Sequence, residues 1–465
     1  MPRSRVNRVQ DSVHGLMEFR DTEAVVIDLL RTVEVSRLRR VKQMGLAEYV
    51  FPAAEHSRFA HSLGAAYVAI RFARQLHEAA SDYLTDWLLP DPSSIRDLAV
   101  AALCHDIGHG PLSHQWEREV IGEGFDRDAW SAALHVSLDD AKRLHSHKWH
   151  ELVGFALLGW EDGQLHQLLE EHEAGLSRRI QEMLLGEHYV PYLPQLLSND
   201  VDVDRADFIL RDAKQTGVGY GLYDLNWLAS TSTLGTNAEG RVVVGFDVKK
   251  APRVIEQFLL ARRAQYDTVY QHRTIRSAEG MAALFLRRMK EVALASPDEF
   301  KHLPQPMRDI VSGATLDPSQ VLSIDDQTFW GLAGHAAQPG FSDRTGQDLA
   351  QRLLARNLFK QVPCSSHALK RFRMEHDVSV LEDAIKKHCP GEPKFYYLYE
   401  EAFCQLVSKA PSQFAYFVDA DHVATPIAEH DVMKPHLLGE PDEDSAPMRL
   451  FCIPEAIKTV VELVN

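Results

Sequence analysis

The stretch Leu98-Ala-Val-Ala-Ala-Leu-Cys-His105-Asp106-Ile-Gly-His109-Gly-Pro-Leu-Ser-His114 constrains this chain more than any other. Its run of small apolar residues reads as the last turns of a buried helix, which delivers an adjacent imidazole and carboxylate to a Gly/Pro break with two further imidazoles beyond. Adjacent polar groups at the end of an apolar run are costly to bury unless each finds a partner or an ion. A divalent metal satisfies both, because neutral His and Asp are among its common ligands. An isolated His-Asp dipeptide is more often a core histidine beside an N-cap aspartate, so the weight falls on what else in the chain can join it.

A chain of 465 residues exceeds what one core usually holds, and the division expected is a main domain over 1–300 and an appendage over 301–465. The net charge of −16 opposes the counterion-release attraction of polynucleotides, so bulk nucleic-acid binding is disfavoured. Basic residues do gather at Arg37, Arg39, Arg40 and Lys42, on a helix read over roughly 33–44, where they suit a solvated face or a phosphate-facing one equally. Five cysteines, Cys404 among them, form no C-x-x-C pair, which argues against a zinc ribbon or a secreted disulfide framework and fits a reducing cytoplasm. No apolar run approaches the ~18 residues of a membrane span, and no export signal is recognisable.

The other polar constellations fall on predicted helices. Arg58 and His61 are three apart at the head of a helix-forming run and share a face. Ser94 to Asp97 reads as a capping box that starts the helix ending at His105-Asp106. Beyond Pro111, His114 and Glu117 stand at i,i+3, a spacing that lets a carboxylate fix an imidazole's tautomer, and His145, His147 and His150 follow ahead of another apolar helix. Asp204, Phe208 and Asp212 make an acidic-aromatic stripe whose apolar neighbours force some of the acids inward, where a carboxylate needs a cation. Thr216 to Gly221 is Gly-rich but lacks the ending of a P-loop. A β-hairpin is predicted at 230–247, and a long helix at about 252–275 would place Arg262, Tyr266, Tyr270 and Arg273 on one face, suited to phosphates and a ring. After residue 300 come short helices, an aromatic strand at 395–399, an acidic loop at 439–444 and an amphipathic last helix at 454–464. The fold class expected is mainly α, a helical core with a β-hairpin insertion and a smaller C-terminal α+β region.

His61, His105, Asp106 and Asp204 together offer four N/O ligands from three helices, with His109, His114, His150 and Arg58 to spare. That set suits Fe, Mn, Zn, Ni or Mg, not a structural zinc site. Metal, proton-moving imidazoles and a guanidinium are the equipment of a phosphoester hydrolase.

From about Asp11 to Lys290 the chain also resembles the HD-domain deoxynucleoside triphosphate triphosphohydrolases. The resemblance lies in Arg37–Gly45, Tyr49–Pro52, Arg58–Gly64, Leu103–His114, Asp202–Arg205 and Tyr270–His272. It implies an HD-type helical core and hydrolysis of a dNTP to deoxynucleoside and inorganic triphosphate. It implies His61, His105, Asp106 and Asp204 as metal ligands, and His114 as the catalytic imidazole aided by Glu117 and His150. His109 and Arg58 would meet the α-phosphate, Arg205 and Arg262 the outer phosphates, and Gln43 and Met44 the sugar and base. Asp212 would accept from the 3′-hydroxyl and Tyr270 would crowd the 2′ position, with Phe208, Tyr266 and Gln271 in the same pocket. An assembly of several copies is implied too.

Some positions depart from the vertebrate pattern: Arg205 replaces a Lys, Phe208 a Tyr, and Glu117 an Asp. Arg31 stands where vertebrate enzymes carry the acid that reads an activating guanine, so activation of that kind is not implied, while Arg39 remains available to an activator's phosphate. Two readings compete with the dNTP triphosphohydrolase. One is an HD hydrolase of another phosphoester, such as a nucleic-acid end or a signalling nucleotide; the other is a nucleotide-binding protein without turnover, for which a His114–Glu117 pair has no use.

Overall fold

Residues 58–80 combine alanines and leucines with no proline, and they form the helix α1 (Arg58–Ala80). This computed structural model describes residues 6–80, 89–122, 124–401, 413–431, 433 and 447–465; Cys404 and the acidic stretch 439–444 lie outside the described residues. α1 packs against α2 (Pro92–Cys104). Ala65, Ala66 and Ala69 of the first and Ala99, Ala101 and Ala102 of the second are fully buried, small side chains that let two helices approach closely. Two further helices complete the frame of the site: α3 (Trp149–Gly159), and α4 (Val203–Thr216), which packs on α1.

α2 starts three residues earlier than the sequence suggests. Asp91 is its N-cap, accepting from the Ser94 backbone N–H at 2.6 Å, and Pro92 occupies the first turn. Ser94 is therefore the reciprocal partner in the capping box, not its cap. Asp97, fully buried, accepts instead from Arg96 and Arg179.

The single helix expected over 252–275 is two. α5 (Pro252–Gln265) runs into a π-helical turn at Tyr266–Tyr270, the chain breaks at Gln271 and His272, and α6 (Arg273–Ala295) follows with His272 as its cap. Arg273 is thus on a different helix from Arg262, and the four-residue stripe does not form.

The basic cluster is absorbed internally. The helix there is short, Val33–Arg37, and passes into a tighter turn at Leu38–Arg40. Arg37 is fully buried, Arg40 pairs with Asp325, Lys42 pairs with Glu48 at 2.7 Å, and the Arg39 guanidinium lies over the Phe59 ring. Arg37 is thus withdrawn from the surface, while Arg39 and Arg40 stay exposed.

Among the described residues three small sheets accompany the helices. β1 (Val6–Asp11) and β2 (Gly15–Arg20) form an antiparallel hairpin turning at 12–14. The expected second hairpin is present as β3 (Ser232–Thr236) and β4 (Val242–Asp247). Two strands from beyond residue 300 extend it: β7 (Tyr416–Val418) runs parallel to β4, and β8 (Ala424–Pro426) antiparallel to β7. The third sheet has the order β5 (Lys360–Gln361), β9 (Met448–Cys452), β6 (Tyr397–Glu401), all antiparallel. One apolar core runs from Met17 to Val464, so residues on both sides of 300 share it. The architecture is mainly α with small β additions. Among the described residues no helix is long and apolar enough to cross a membrane.

Candidate metal centre and histidine cluster

His61 lies in the first turn of α1, one turn beyond Arg58, and is 0% exposed. Its Nδ1 is 2.9 Å from Asp207 Oδ2, which turns Nε2 towards Asp204 Oδ1 at 3.0 Å and His105 Nε2 at 3.3 Å. His105, at the end of α2, donates from Nδ1 to the Ala102 carbonyl at 2.7 Å. Its Nε2 is therefore the free one, 3.5 Å from Asp204 Oδ1 and 3.4 Å from Asp106 Oδ1. Asp106 Oδ2 stands 3.8 Å from His61 Nε2 and accepts from Arg58 Nη1 at 2.5 Å.

This donor set fits a divalent ion. Both imidazoles have Nδ1 engaged, so two Nε2 lone pairs converge with carboxylate oxygens at spacings of 3.0–3.5 Å. Bonds of about 2.0–2.1 Å give neighbouring ligand atoms a separation of about 3.3 Å in a tetrahedral shell. His61, His105 and Asp204 make the tighter group, with Asp106 at its side. Without an ion, protons carry the balancing charge. Burial alone would lower the His61 pKa, but hydrogen bonds to Asp204 and Asp207 outweigh it and push it up to about 10. Burial likewise opposes ionisation of Asp204, and the two imidazoles nevertheless hold it well below the usual carboxylate range.

Beside this group stands a second one. Glu117 Oε1 accepts from His109 Nδ1 at 3.0 Å, while Oε2 lies 2.9 Å from His150 Nδ1 and 3.5 Å from His114 Nδ1. His109 and His150 stack with centroids 3.9 Å apart. Burial would raise the Glu117 carboxyl, but hydrogen bonds from the three imidazoles keep it far below its ordinary range. Burial, then the positive charges of Arg58 and His150, press His109 down to about 4, so its ring is neutral at pH 7. His114 alone is open, its side chain 60% exposed.

The loop that carries these groups has an unusual backbone. Leu112 and Ser113 both have positive φ, 51° and 52°, a region L-residues rarely adopt. Neighbours enforce it: Arg37 donates to the carbonyls of Ile107 and His109, Asp326 accepts from Leu112 N–H, and the Ser113 hydroxyl accepts from Arg58. After Trp116 the helix widens into a π-helical turn over Glu117–Ile121. Such turns recur at functional sites, and both of them here flank the cavity or its approach.

Both groups open on one cavity of about 850 Å³, whose lining includes Gln43, Arg58, His105, Asp106, His109, His114, His150, Asp204, Arg205 and Phe208. Arg205 is held there by Asp202 and by the Asn199 carbonyl. The remaining residues expected to bind substrate lie outside that lining. The Phe208 ring lies 6.4 Å from both His61 and Tyr270. The Tyr270 hydroxyl donates to Asp212 at 2.5 Å, and Asp212 also pairs with His56. Tyr266 stacks edge-on against Tyr270, the Arg262 guanidinium lies 5.9 Å from the Tyr266 ring, and Gln271 is half-buried, its carbonyl accepting from Arg449. Met44 is packed in a small apolar cluster with Val269 and Ile275.

Sequence reasoning missed the groups behind His61. Asp207 is fully buried and receives His61, His14 at 2.5 Å and Arg211; Arg211 in turn reaches Asp11. The i,i+4 spacing of Asp207 and Arg211 was the available signal, one stripe round the helix from Asp204 and Phe208.

Comparison with known proteins adds to this geometry. A family model described as HD domain matches residues 58–209, from the first residue of α1 into α4. The chain is 28% identical over 356 residues to a Bacillus subtilis protein, YwfO, covering 76% of this chain and 71% of that one. It is 29% identical over 217 residues to the deoxynucleoside triphosphate triphosphohydrolase SAMHD1 of Bos taurus, covering 45% of this chain and 36% of that one. The chain thus spans about a third of the length of that enzyme. A crystal structure of a phosphohydrolase from Bacteroides thetaiotaomicron shares the fold, with a TM-score of 0.72 at 22% identity over 97% of this chain and 100% of that one.

Proposed function

We propose, from the match of residues 58–209 to an HD-domain family model, that this chain is a metal-dependent phosphohydrolase cleaving deoxynucleoside triphosphates to deoxynucleoside and inorganic triphosphate. The likeness to the Bos taurus triphosphohydrolase supports the substrate class. The observation that carries the reading is the pairing, in one cavity, of a metal-type donor group with an exposed imidazole backed by a buried carboxylate. A binding protein has no need of the second.

His61, His105, Asp106 and Asp204 would hold the ion. A divalent ion supplies Lewis acidity to a phosphoryl oxygen and makes water a better nucleophile. Arg58, clamped by Asp106 and Ser113, presents fixed positive charge to the α-phosphate, and Arg205 presents it to the outer phosphates. Water adds to the α-phosphorus, the bond from phosphorus to the 5′-oxygen breaks, His114 gives that oxygen its proton, and the proton shed by the added water passes through solvent to recharge the His114 ring. Glu117 keeps the His114 ring oriented. Neutral His109 gives its one N–H to Glu117 and carries no charge, so it shapes the site and does not attract the phosphate. The Tyr270–Asp212 pair, reached past Phe208, would sense the deoxyribose.

The test is incubation of metal-reconstituted protein with each dNTP and NTP, with chromatography for nucleoside and triphosphate. Deoxynucleoside with triphosphate is the expected result. Monophosphate, a shortened oligonucleotide from a nucleic-acid substrate, or intact nucleotide that only raises the melting temperature would overturn it.

A further inference from the structure

A proton relay needs one imidazole and one acid, yet three imidazoles converge on Glu117. His109 comes from the loop after α2, His114 and Glu117 from the turn beyond Ser113, and His150 from the first turn of α3. Their ring nitrogens and the carboxylate oxygen all lie within 4.8 Å of one another, and none of the four belongs to the His61 group. The three Nδ1-to-carboxylate spacings, 2.9, 3.0 and 3.5 Å, bracket the separation of about 3.3 Å between ligands in a tetrahedral zinc shell. Three imidazoles and one carboxylate suit a borderline ion such as Zn²⁺ and not Mg²⁺, which prefers oxygen. The exposed His114 ring gives an ion a way in.

We propose that His109, His114, Glu117 and His150 form a second metal site, selective for Zn²⁺, and that zinc bound there inhibits the enzyme. Coordination through Nδ1 shifts the proton of each neutral ring to Nε2. A ring held that way takes up no second proton, so His114 no longer cycles between acid and base. Inhibition rests on the functional reading above; binding does not.

The experiment loads chelator-stripped full-length chain with Zn²⁺, Co²⁺ or Mn²⁺ and counts metal per chain by elemental analysis after gel filtration. Wild type should hold two zinc ions but one manganese ion, and Co²⁺ should give the intense visible bands of a four-coordinate site. Glu117→Ala and His150→Ala should hold one zinc ion. His114→Ala, whose side chain is exposed and whose loss leaves the core intact, should weaken the second site about 10- to 100-fold. Zinc added to manganese-loaded wild type should depress turnover at least about tenfold, reversed by chelator. One zinc ion per wild-type chain, or two held with undiminished affinity in His114→Ala, would overturn the proposal. Two zinc ions on a protein that hydrolyses no dNTP would sink the functional reading and leave the site standing; one zinc ion on an active enzyme would do the reverse.

Discussion

Asp207 decides which nitrogen His61 offers. By accepting at Nδ1 it leaves Nε2 for an ion, and it also accepts from His14 and neutralises Arg211, so one buried carboxylate serves three partners. Asp207→Asn keeps the shape but not the charge, and metal affinity at the His61 group is expected to fall about 10- to 100-fold, read by competition with a chromophoric chelator. Asp207→Ala leaves Arg211 with Asp11 alone and takes the acceptor from the buried His61 and His14 rings, and should cost about 3–5 kcal/mol in urea unfolding. A second expectation concerns protons. His61 titrates at about 10 in the ion-free protein, above the ~6.5 of an unfolded chain, so its contribution to ion-free stability is complete below ~6.5 and is lost as pH rises through about 10. An incoming ion must displace that proton, and affinity should rise about tenfold per pH unit between 7 and 9 for each proton released. Affinity flat with pH would show that His61 is already neutral. The chain itself reveals Asp204 through its apolar neighbours, but not Asp207. Four acids fall within 202–212, and which of them face inward is set by how α4 is rotated against α1, a contact across about 140 residues that no local pattern encodes.

At the scale of elements, the close approach of α3 to the loop after α2 is what brings His150 to Glu117. Gly108 permits it: a Cβ there would fall 2.0 Å from the His150 carbonyl oxygen and 2.6 Å from Gly154 N. In Gly108→Ala the head of α3 must retreat, and His150 loses its hydrogen bond. The expected result is a loss of turnover of about 100-fold with unchanged manganese content, because His61, His105 and Asp204 do not touch this contact. Loss of metal together with activity would mean that the two groups do not separate. Helices whose periodicity was clean, such as α1 and α4, are readable from sequence, and so is the hairpin of β3 and β4. The break after Tyr270 was not, because Gln271 and His272 carry no glycine or proline; His272 caps α6 through its own side chain and an aromatic contact with Phe51. Likewise the basic residues at 37–42 looked available because their partners, Asp325 and the carbonyl of Ile324, lie nearly three hundred residues away.

At the scale of the whole molecule, that same distant segment ties the C-terminal region to the chemistry. Ile324 takes a hydrogen bond from Arg37, Asp325 pairs with Arg40, and Asp326, at the head of a helix over Asp326–Ala336, accepts from Leu112 N–H and Lys42 N–H at 2.8 Å each. One carboxylate therefore fixes the positive-φ residue that aims His114. Burial pushes the Asp326 carboxyl up to about 6, above its unfolded value of ~3.9. A raised carboxyl takes up a proton on folding between those values. Its contribution to stability is thus full below ~4 and lost as pH rises through about 6, a swing of about 3 kcal/mol at most. Asp326→Asn has no proton to exchange, so its unfolding free energy should vary less between pH 4 and 6 than that of the wild type. The amide also has a single acceptor oxygen for two N–H groups, which costs about 1–3 kcal/mol and frees Leu112 or Lys42. At pH 7 the variant should keep the manganese of the His61 group and lose turnover, as the Leu112–Ser113 backbone relaxes and His114 swings off its line. Urea unfolding across pH, with metal content and turnover at pH 7, reads all three. Parallel pH profiles for the two proteins would show that Asp326 is charged throughout, and full turnover in the variant would show that the loop holds its shape without the C-terminal region.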